Sequence, residues 1–274
     1  MAGTRSHASN VDGMSRGRDN VKILRYVADG QSHFGILEND TVYAASGEVF
    51  GGLTRGSEVG KLDSLELDIP IQPPKVVAIG LNYLKHVTEN DPTRKPPEEP
   101  LVFLKPTSSL LAPGKNIELP PGNNIHYEAE LCVVIGKRAK RIKKEDWANY
   151  VLGYTCGNDV SHREYQQKDG QWVRAKGFDT FCPLGPVIET DMDPSSVKVQ
   201  SRLNGEIRQD NNSSDLIFDI PVLMEFITNV MTLEPGDVIM TGTPEGVGPM
   251  KPGDTIEIEV GGIGVLSNPV VARD

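Results

Sequence analysis

The segment from Ile125 to Gly136, which reads IHYEAELCVVIG, constrains the fold more than any other stretch of this sequence. Side chains of a β-strand alternate between two faces, so residues two apart point the same way, about 6.5–7 Å apart along the chain. One face of the segment is apolar throughout, and the other carries Glu128 and Glu130, followed by a cysteine and a valine. This pattern predicts a strand that is covered on both sides, at least at its far end.

Glu128 and Glu130 therefore share a half-buried face of a core strand. Two like charges in such a place are costly, or they shift a pKa until one group is neutral, unless a cation lies between them. The plain alternative for a Glu-x-Glu pair is a solvated strand edge, which the apolar neighbours in this segment disfavour. We therefore expect a compensating positive charge beside both glutamates.

Composition and charge exclude several classes of protein. The chain has 274 residues, enough for one large domain or two unequal ones. It carries 28 Lys and Arg residues and 38 Asp and Glu residues, which gives a formal charge of −10. This charge disfavours a surface that binds nucleic acid or an anionic membrane, and it suits a cation or a small polar substrate. No apolar run approaches the roughly 20 residues of a membrane span, and the N-terminus lacks the apolar core of a secretory signal. We expect a cytoplasmic protein, with a mitochondrial location as the alternative.

The three cysteines, Cys132, Cys156 and Cys182, are odd in number, widely spaced and set among apolar residues. This spacing disfavours both a disulfide framework and a CxxC metal site. We expect all three to be buried thiols that behave as small hydrophobic groups.

Changes of composition along the chain indicate two domains after a polar leader. Residues 1–20 are interpreted as a disordered tail or leader segment. Residues 21–73 predict a small β-rich domain, because short apolar runs are separated by turn residues. The prolines at 73 and 74 mark a boundary, and residues 74–274 predict a mixed sheet with few helices, the clearest of them within residues 220–233. The predicted fold class is α+β and β-rich.

A third acid, Asp159, follows another short apolar run. The next residues predict a capping box, with Ser161 as the N-cap and Glu164 three positions later. With Glu128 and Glu130, Asp159 offers only oxygen ligands, which favour Mg²⁺, Mn²⁺ or Ca²⁺ over zinc. A rival interpretation makes the two glutamates the acid and base of a glycosidase, but carboxylates on one strand rarely lie on opposite faces of a sugar ring.

His86 and Glu89 are three residues apart in a short helix that we expect to begin at Asn82. Residues at this spacing share a helix face, so the carboxylate can orient the histidine as a general base for water. A surface His–Glu pair has the same spacing and is the alternative.

Two lysines and a glycine-rich segment are further candidates. Lys105 and Lys176 each follow apolar or aromatic residues, where an ammonium near a metal ion could hold a carboxylate or an enolate; the alternative for each is a surface lysine. Residues 241–249 form a glycine-rich turn whose N–H groups could bind an anion, or which is a plain hairpin turn.

Eight segments, taken in order over roughly residues 74–274, resemble the fumarylacetoacetate hydrolase family. They are GLNYLKHVTEN, FLKPTSSLL, HYEAELCVVIG, GNDVSHREYQ, AKGFDTFCPLGP, LNGE, MTLEPGDVIMTGTPEGVG and PGDTIEIEVGGIGVLSNPV. The resemblance implies a β-roll of mixed sheets, preceded by a small variable N-terminal domain, that forms a homodimer. It also implies that Glu128, Glu130 and Asp159 bind a divalent metal, Mg²⁺ or Mn²⁺, for which Ca²⁺ can substitute.

The resemblance also implies roles for other side chains. Lys176 matches the active-site lysine, and His86 with Glu89 matches a water-activating pair on a mobile lid. The residues expected to contact the substrate are Lys105, Arg163, Gln166 and Thr243. One departure concerns the turn from Gly80 to Tyr83, which has a leucine second where many relatives have an arginine, so one substrate contact is absent.

The function implied by the resemblance is that of an enzyme that acts on a small 2-oxo acid through a metal-stabilised enolate. The His–Glu pair favours C–C bond hydrolysis of an acylpyruvate or decarboxylation of oxaloacetate. The alternative is an isomerase or tautomerase of a hydroxymuconate-type diacid or of oxaloacetate. A remote alternative is a non-catalytic β-roll that binds a metal or an acid.

Overall fold

The structure is a computed structural model that describes residues 21–122 and 124–273. The interpretation of residues 1–20 as a tail or leader lies outside this range. Within it, strands predominate. They are β1 (Lys22–Ala28), β2 (Gln31–Glu38), β3 (Thr41–Glu48), β4 (Gly52–Lys61), β5 (Leu67–Asp68), β6 (Val76–Gly80), β7 (Leu101–Lys105), β8 (Leu110–Leu111), β9 (Ile117–Leu119), β10 (Ile125–Tyr127), β11 (Ala129–Ile135), β12 (Val151–Asn158), β13 (Ser161–His162), β14 (Cys182–Glu189), β15 (Lys198–Leu203), β16 (Glu206–Asn212), β17 (Val238–Met240), β18 (Gly248–Pro249), β19 (Thr255–Val260) and β20 (Gly264–Ala272).

Helices are short. The α-helices are α1 (Leu84–Thr88), α2 (Arg163–Asp169), α3 (Val173–Lys176) and α4 (Ile220–Val230). The 3₁₀ helices are Leu62–Ser64, Thr107–Ser109, Lys144–Tyr150, Pro194–Ser196 and Ser213–Asp215. The helical pattern within residues 220–233 corresponds to α4, whose N-cap Asp219 accepts a hydrogen bond from the Val222 N–H at 3.0 Å.

The largest sheet runs in the order β4-β3-β2-β1-β14-β12-β11-β17-β6-β7, with β5 beside β1 and β8 beside β14. Strand β1 pairs antiparallel with β14, so the N-terminal strands extend the same sheet as the strands that follow residue 74. Strands β17 and β6 are parallel, which makes the sheet mixed. The division into domains at residue 73 stays a prediction, while the β-rich α+β fold class is confirmed.

A second sheet, in the order β16-β15-β19-β20-β9, packs against the central strands β11, β12 and β14. Between the two sheets lies an apolar core to which Leu131 and Val133 contribute from β11 and Ile256 and Ile258 from β19. Every residue of β11 and β12 is buried, as expected for strands covered on both sides. A small third sheet, β13-β10-β18, adjoins the ends of β11 and β12.

The single strand predicted from Ile125 onward is interrupted at Glu128. Strand β10 pairs with β13 and β18, whereas β11 pairs with β12 and β17. At the break, the Glu128 N–H donates to the Asn158 side-chain oxygen at 3.0 Å rather than to a neighbouring strand. The prediction of one continuous strand is therefore wrong at this residue, because a side chain replaces the ladder hydrogen bond.

Two predicted helix starts differ from the structure. Helix α2 begins at Arg163, and the Ser161 hydroxyl donates to the Asp159 carbonyl oxygen at 2.7 Å, so the predicted capping box is wrong. Helix α1 begins at Leu84, and Asn82 instead lies buried under the turn before it. The Asn82 side chain accepts from the Phe218 N–H at 2.8 Å and donates to the Phe218 and Thr241 carbonyl oxygens, which ties this turn to two distant segments.

All three cysteines are buried and unpaired, as predicted. Over the described residues, no helix is both long and apolar enough to cross a membrane.

Candidate active site

Three buried carboxylates meet where the largest sheet adjoins the small third sheet. Glu128 lies between β10 and β11, Glu130 lies in β11, and Asp159 follows β12 directly. Each offers a ligand oxygen, and these oxygens all lie within 4.8 Å of one another. The Asp159 N–H donates to the Glu128 carbonyl oxygen at 3.0 Å, beside the pairing of Ala129 with Asn158. The backbone of two core strands thus holds the three acids together.

Three cationic side chains surround two of these acids. The Lys176 ammonium lies 2.8 Å from a Glu128 oxygen and 2.5 Å from an Asp159 oxygen. The Arg163 guanidinium lies 2.6 Å from the other Glu128 oxygen, and the Lys105 ammonium lies 2.5 Å from the other Asp159 oxygen. Both oxygens of Glu128 and of Asp159 therefore face a positive charge.

These contacts set the protonation states of Glu128 and Lys176. Burial by itself would raise the pKa of Glu128, but the charges of Lys176 and Arg163 hold that pKa well below its usual range. Burial by itself would lower the pKa of Lys176, but the carboxylates of Asp159 and Glu128 raise it above its ordinary value. Glu128 is therefore ionised and Lys176 is charged at neutral pH.

Glu130 is different, because among the described residues its side chain has no ion-pair partner. Its carboxylate accepts a hydrogen bond from the Gly242 N–H at 2.7 Å. Over residues 21–122 and 124–273, no lysine or arginine nitrogen lies within 4.0 Å of it. Burial, with the charges of Asp159 and Glu128, raises the pKa of Glu130 well above its usual range. A buried carboxylate in this position needs a cation, and three clustered carboxylates are the donor set that Mg²⁺ and Mn²⁺ prefer.

His86 and Glu89 form a pair on α1 and at its C-terminal end. His86 Nδ1 lies 3.1 Å from Glu89 Oε2, and Glu89 Oε1 accepts from the Gly246 N–H at 2.8 Å. Burial would raise the pKa of Glu89, yet the hydrogen bonds from His86 and Gly246 hold it below its ordinary value. A carboxylate on Nδ1 orients the ring and leaves Nε2 as the nitrogen that can move a proton.

The glycine-rich turn at residues 241–249 donates backbone hydrogen bonds to two carboxylates of the protein. The Gly242 N–H donates to Glu130, and the Gly246 N–H donates to Glu89. The turn therefore links the carboxylate cluster to the His86–Glu89 pair.

A cleft of about 570 Å³ adjoins the carboxylate cluster at Arg163. Residues that line it include His86, Arg94, His126, Arg163, Gln166 and Trp172. Two other grooves, of about 630 and 640 Å³, contain none of the predicted site residues. The cleft reaches the cluster through Arg163, which contacts both Glu128 and, at 2.9 Å, the Gln166 side-chain oxygen.

Lys105 and Thr243, two of the predicted substrate contacts, are buried beside the cluster and, like Lys176 and the three acids, are not among the residues that line this cleft. The Lys105 ammonium donates to Asp159, to the Val160 carbonyl oxygen at 3.4 Å and to the Lys176 carbonyl oxygen at 2.6 Å. The Thr243 hydroxyl donates to the Ala129 carbonyl oxygen at 2.9 Å and accepts from the Gln209 amide at 2.8 Å. Both side chains are buried and already bonded to the protein.

Three of these lining residues, Arg94, His126 and Trp172, were not among the site residues predicted from the sequence. The Trp172 ring covers Gly80 so closely that a Cβ there would lie 2.5 Å from a ring carbon. Gly80 is thus required by packing, whereas the positive φ of this turn, 58°, belongs to Leu81. His126 bonds through Nε2 to the Asn124 side-chain oxygen at 2.6 Å, and burial lowers its pKa to about 4. Gly80 ends β6, and a glycine in a strand often marks the close approach of another group, which here is the Trp172 ring.

Comparison with known protein families is consistent with this geometry. Residues 75–271 match the family described as fumarylacetoacetate (FAA) hydrolase C-terminal, and residues 21–70 match the family described as Rv2993c-like, N-terminal. An oxaloacetate tautomerase from Rattus norvegicus, described as mitochondrial, is 41% identical over 212 residues, which cover 73% of this chain and 67% of the relative.

Solved structures show the same fold. The structure of 5-carboxymethyl-2-hydroxymuconate delta-isomerase from Mycobacterium smegmatis has 44% identity and a TM-score of 0.85, and covers 92% of this chain and 100% of that chain. Maleylpyruvate hydrolase from Sphingobium sp. SYK-6, in complex with manganese(II) and pyruvate, has 31% identity and a TM-score of 0.76, again over 92% of this chain and 100% of that chain. With a family match that spans most of its length and relatives of this similarity, the chain belongs to the fumarylacetoacetate hydrolase family of enzymes.

Proposed function

We propose that this protein is a divalent-metal-dependent enzyme that forms the enol or enolate of a small 2-oxo acid, and that its reaction is the tautomerisation or isomerisation of a diacid. The observation that carries the proposal is the buried cluster of Glu128, Glu130 and Asp159 next to a cleft lined by Arg163, which contacts Glu128, and by His86, which pairs with Glu89. The similarity to a tautomerase and an isomerase, each more than 40% identical, supports this choice of reaction.

The three acids would hold the metal, and a bound divalent ion would supply a Lewis acid that stabilises negative charge on the 2-oxo group. Lys176 adds positive charge at the same end of the site, because its ammonium lies among the same carboxylates. Arg163 and Gln166 are joined to each other and line the cleft, so they can orient the substrate carboxylate.

His86 is the residue that we propose moves the proton at C3. Its Nδ1 is held by Glu89, and Nε2 can take a proton from the substrate carbon and return one. Glu89 is held in turn by the Gly246 N–H, which limits the rotation of the pair.

A second candidate function is C–C bond hydrolysis of an acylpyruvate or decarboxylation of oxaloacetate. The same contact between His86 and Glu89 favours it, since a histidine oriented in this way can equally activate a water molecule. The manganese-bound hydrolase at 31% identity supports this candidate.

One set of assays separates these reactions. The metal-stripped protein, restored with Mg²⁺ or Mn²⁺, is given enol-oxaloacetate, a hydroxyheptadienedioate and acetylpyruvate, and each is followed by absorbance. Turnover of the first two alone, without release of CO₂, establishes the isomerase. Cleavage of acetylpyruvate establishes the hydrolase, and release of CO₂ from oxaloacetate establishes the decarboxylase. An absence of turnover with all three would refute an enzyme of this kind.

The metal site is tested by the variant Glu128→Ala, with the exposed Glu145→Ala as the control. Glu128→Ala should lose bound Mn²⁺, measured by elemental analysis, and should lose activity, whereas Glu145→Ala should keep both. Full metal content in Glu128→Ala would contradict the assignment. Ca²⁺ is expected to occupy the same site.

The homodimer and the cytoplasmic location stay predictions. Light scattering on the purified protein should give twice the chain mass of 29.9 kDa. A monomer at micromolar concentration would rule out the dimer.

A further inference from the structure

The cleft that adjoins the carboxylate cluster is lined by two arginines with different surroundings. Arg163, at the inner end, contacts Glu128 at 2.6 Å and Gln166 at 2.9 Å. Arg94 also lines the cleft, but its guanidinium makes no hydrogen bond and has no carboxylate oxygen within 4.0 Å over residues 21–122 and 124–273. Arg94 therefore brings to the cleft a set of donors that the described protein does not use.

The local chain explains why Arg94 keeps its donors free. The Arg94 N–H donates to the Asp91 carbonyl oxygen at 3.0 Å, which forms a turn after α1. The nearest acid on this turn, Asp91, accepts from the Thr93 N–H at 2.9 Å and from the Thr93 hydroxyl at 2.7 Å. The hydrogen bonds from Thr93 and, to a smaller extent, the charge of Arg94 lower the pKa of Asp91, but no Asp91 oxygen lies within 4.0 Å of the guanidinium.

The position of Arg94 along the chain defines which end of a substrate it can reach. In the proposed function, the 2-oxo acid end of the substrate lies at Glu128, Glu130 and Asp159, which adjoin the cleft at the buried side of Arg163. Arg94 is exposed and lies on the segment that follows His86, so it belongs to the solvent end. A group bound there is separated from the 2-oxo acid end by the carbon on which His86 acts.

We propose that Arg94 is a specificity-determining residue that binds the distal carboxylate of a dicarboxylic 2-oxo acid. The inference rests on the proposed function and adds to it the residue that selects a diacid. A guanidinium matches a carboxylate because two parallel N–H groups can donate to its two oxygens. A 2-oxo acid with an uncharged tail leaves Arg94 in water and gains nothing from it, so the selection acts through the diacid alone.

The test compares two stable 2-oxo acids of equal chain length, 2-oxoglutarate and 2-oxopentanoate, which differ in one terminal carboxylate. Binding to the Mn²⁺-loaded protein is measured by calorimetry for the wild type, for Arg94→Gln and for Lys95→Gln. Lys95 is the matched control, since it is the next residue, is exposed and does not line the cleft. Arg94→Gln should weaken binding of 2-oxoglutarate by about 10-fold and change that of 2-oxopentanoate by less than about 2-fold.

Lys95→Gln should leave both dissociation constants within about 2-fold of the wild type, as expected for an exposed charge that touches neither ligand. For a diacid that the enzyme turns over, Arg94→Gln should raise KM and leave kcat nearly unchanged, because the contact forms before the reaction. Arg94→Lys should recover part of the loss, since it restores the charge without the paired donors.

Two failures have different meanings. If the wild type binds both acids and Arg94→Gln keeps the same preference for 2-oxoglutarate, the role of Arg94 is refuted and the proposed function stands. If the folded, metal-loaded wild type binds neither of these acids nor oxaloacetate, the proposed function fails and the role of Arg94 fails with it. Equal melting temperatures for the variants and the wild type would show that a difference in binding does not come from a loss of folding.

Discussion

Replacement of Lys105 by methionine tests whether the buried charges at the site depend on one another. Lys105 ends β7, its side chain has an exposed fraction of 0%, and its ammonium donates to three protein oxygens. Methionine can fill the space of the aliphatic stem but donates nothing. The variant therefore leaves an oxygen of Asp159 and the carbonyl oxygen of Lys176 without this donor.

Removal of one partner of a buried ion pair typically costs about 3–5 kcal/mol, because the remaining charge stays buried without compensation. For a chain of this size, about 1 kcal/mol lowers the melting temperature by roughly 2–4 °C. We therefore expect Lys105→Met to melt about 6–20 °C below the wild type, and to lose the corresponding free energy of unfolding in urea. Mn²⁺ should restore part of this loss, since it would place positive charge beside Asp159.

The control is Lys115→Met, which breaks the ion pair of Lys115 with Glu66. The two side chains of this pair have exposed fractions of 52% and 54%, so its loss should cost less than about 1 kcal/mol. If Lys105→Met unfolds within about 1 kcal/mol of the wild type, the ammonium does not compensate Asp159, and the account of the site as a set of mutually dependent charges is wrong.

Three further predictions concern the surroundings of the site. Gly80→Ala should lower the free energy of unfolding by about 1–3 kcal/mol and shift the fluorescence of Trp172, because the new Cβ would lie 2.5 Å from the Trp172 ring. An unchanged spectrum and stability would contradict this packing contact. Asn82→Ala should cost about 2–4 kcal/mol in urea unfolding, since it removes the partners of the Phe218 N–H, of the part-buried Phe218 carbonyl oxygen and of the buried Thr241 carbonyl oxygen. The Glu89 carboxyl has a lowered pKa in the folded state, so its stabilising effect is present above its unfolded pKa of about 4.3 and is lost as the pH falls through the folded value. The stability difference between the wild type and Glu89→Gln should therefore shrink between pH 6 and pH 3, and a difference that grows on acidification would reverse the sign of this reasoning.

The sequence predicted the parts of this protein that depend on local pattern. Alternation of apolar residues identified the core strand that became β11, helical periodicity identified α4, and the spacing of the cysteines predicted three buried thiols. The order of the motifs identified the family, and with it the acids Glu128, Glu130 and Asp159. Each of these inferences needs only the residue's own neighbours along the chain or a resemblance between whole segments.

Only the tertiary structure decided how distant side chains are combined. Lys105 donates to Asp159, 54 residues away, and so is a buried partner of the carboxylate cluster. Asn82 bonds to Phe218, 136 residues away, and so does not begin a helix. Glu128 interrupts its strand because Asn158 takes its N–H, and Arg94 lines the cleft through the turn after α1. Sequence periodicity indicates whether a residue is buried. Which buried groups meet is decided by the pairing of strands that are far apart in the sequence. For this reason the three acids could be identified from the sequence, whereas their cationic partners were identified only from the tertiary structure.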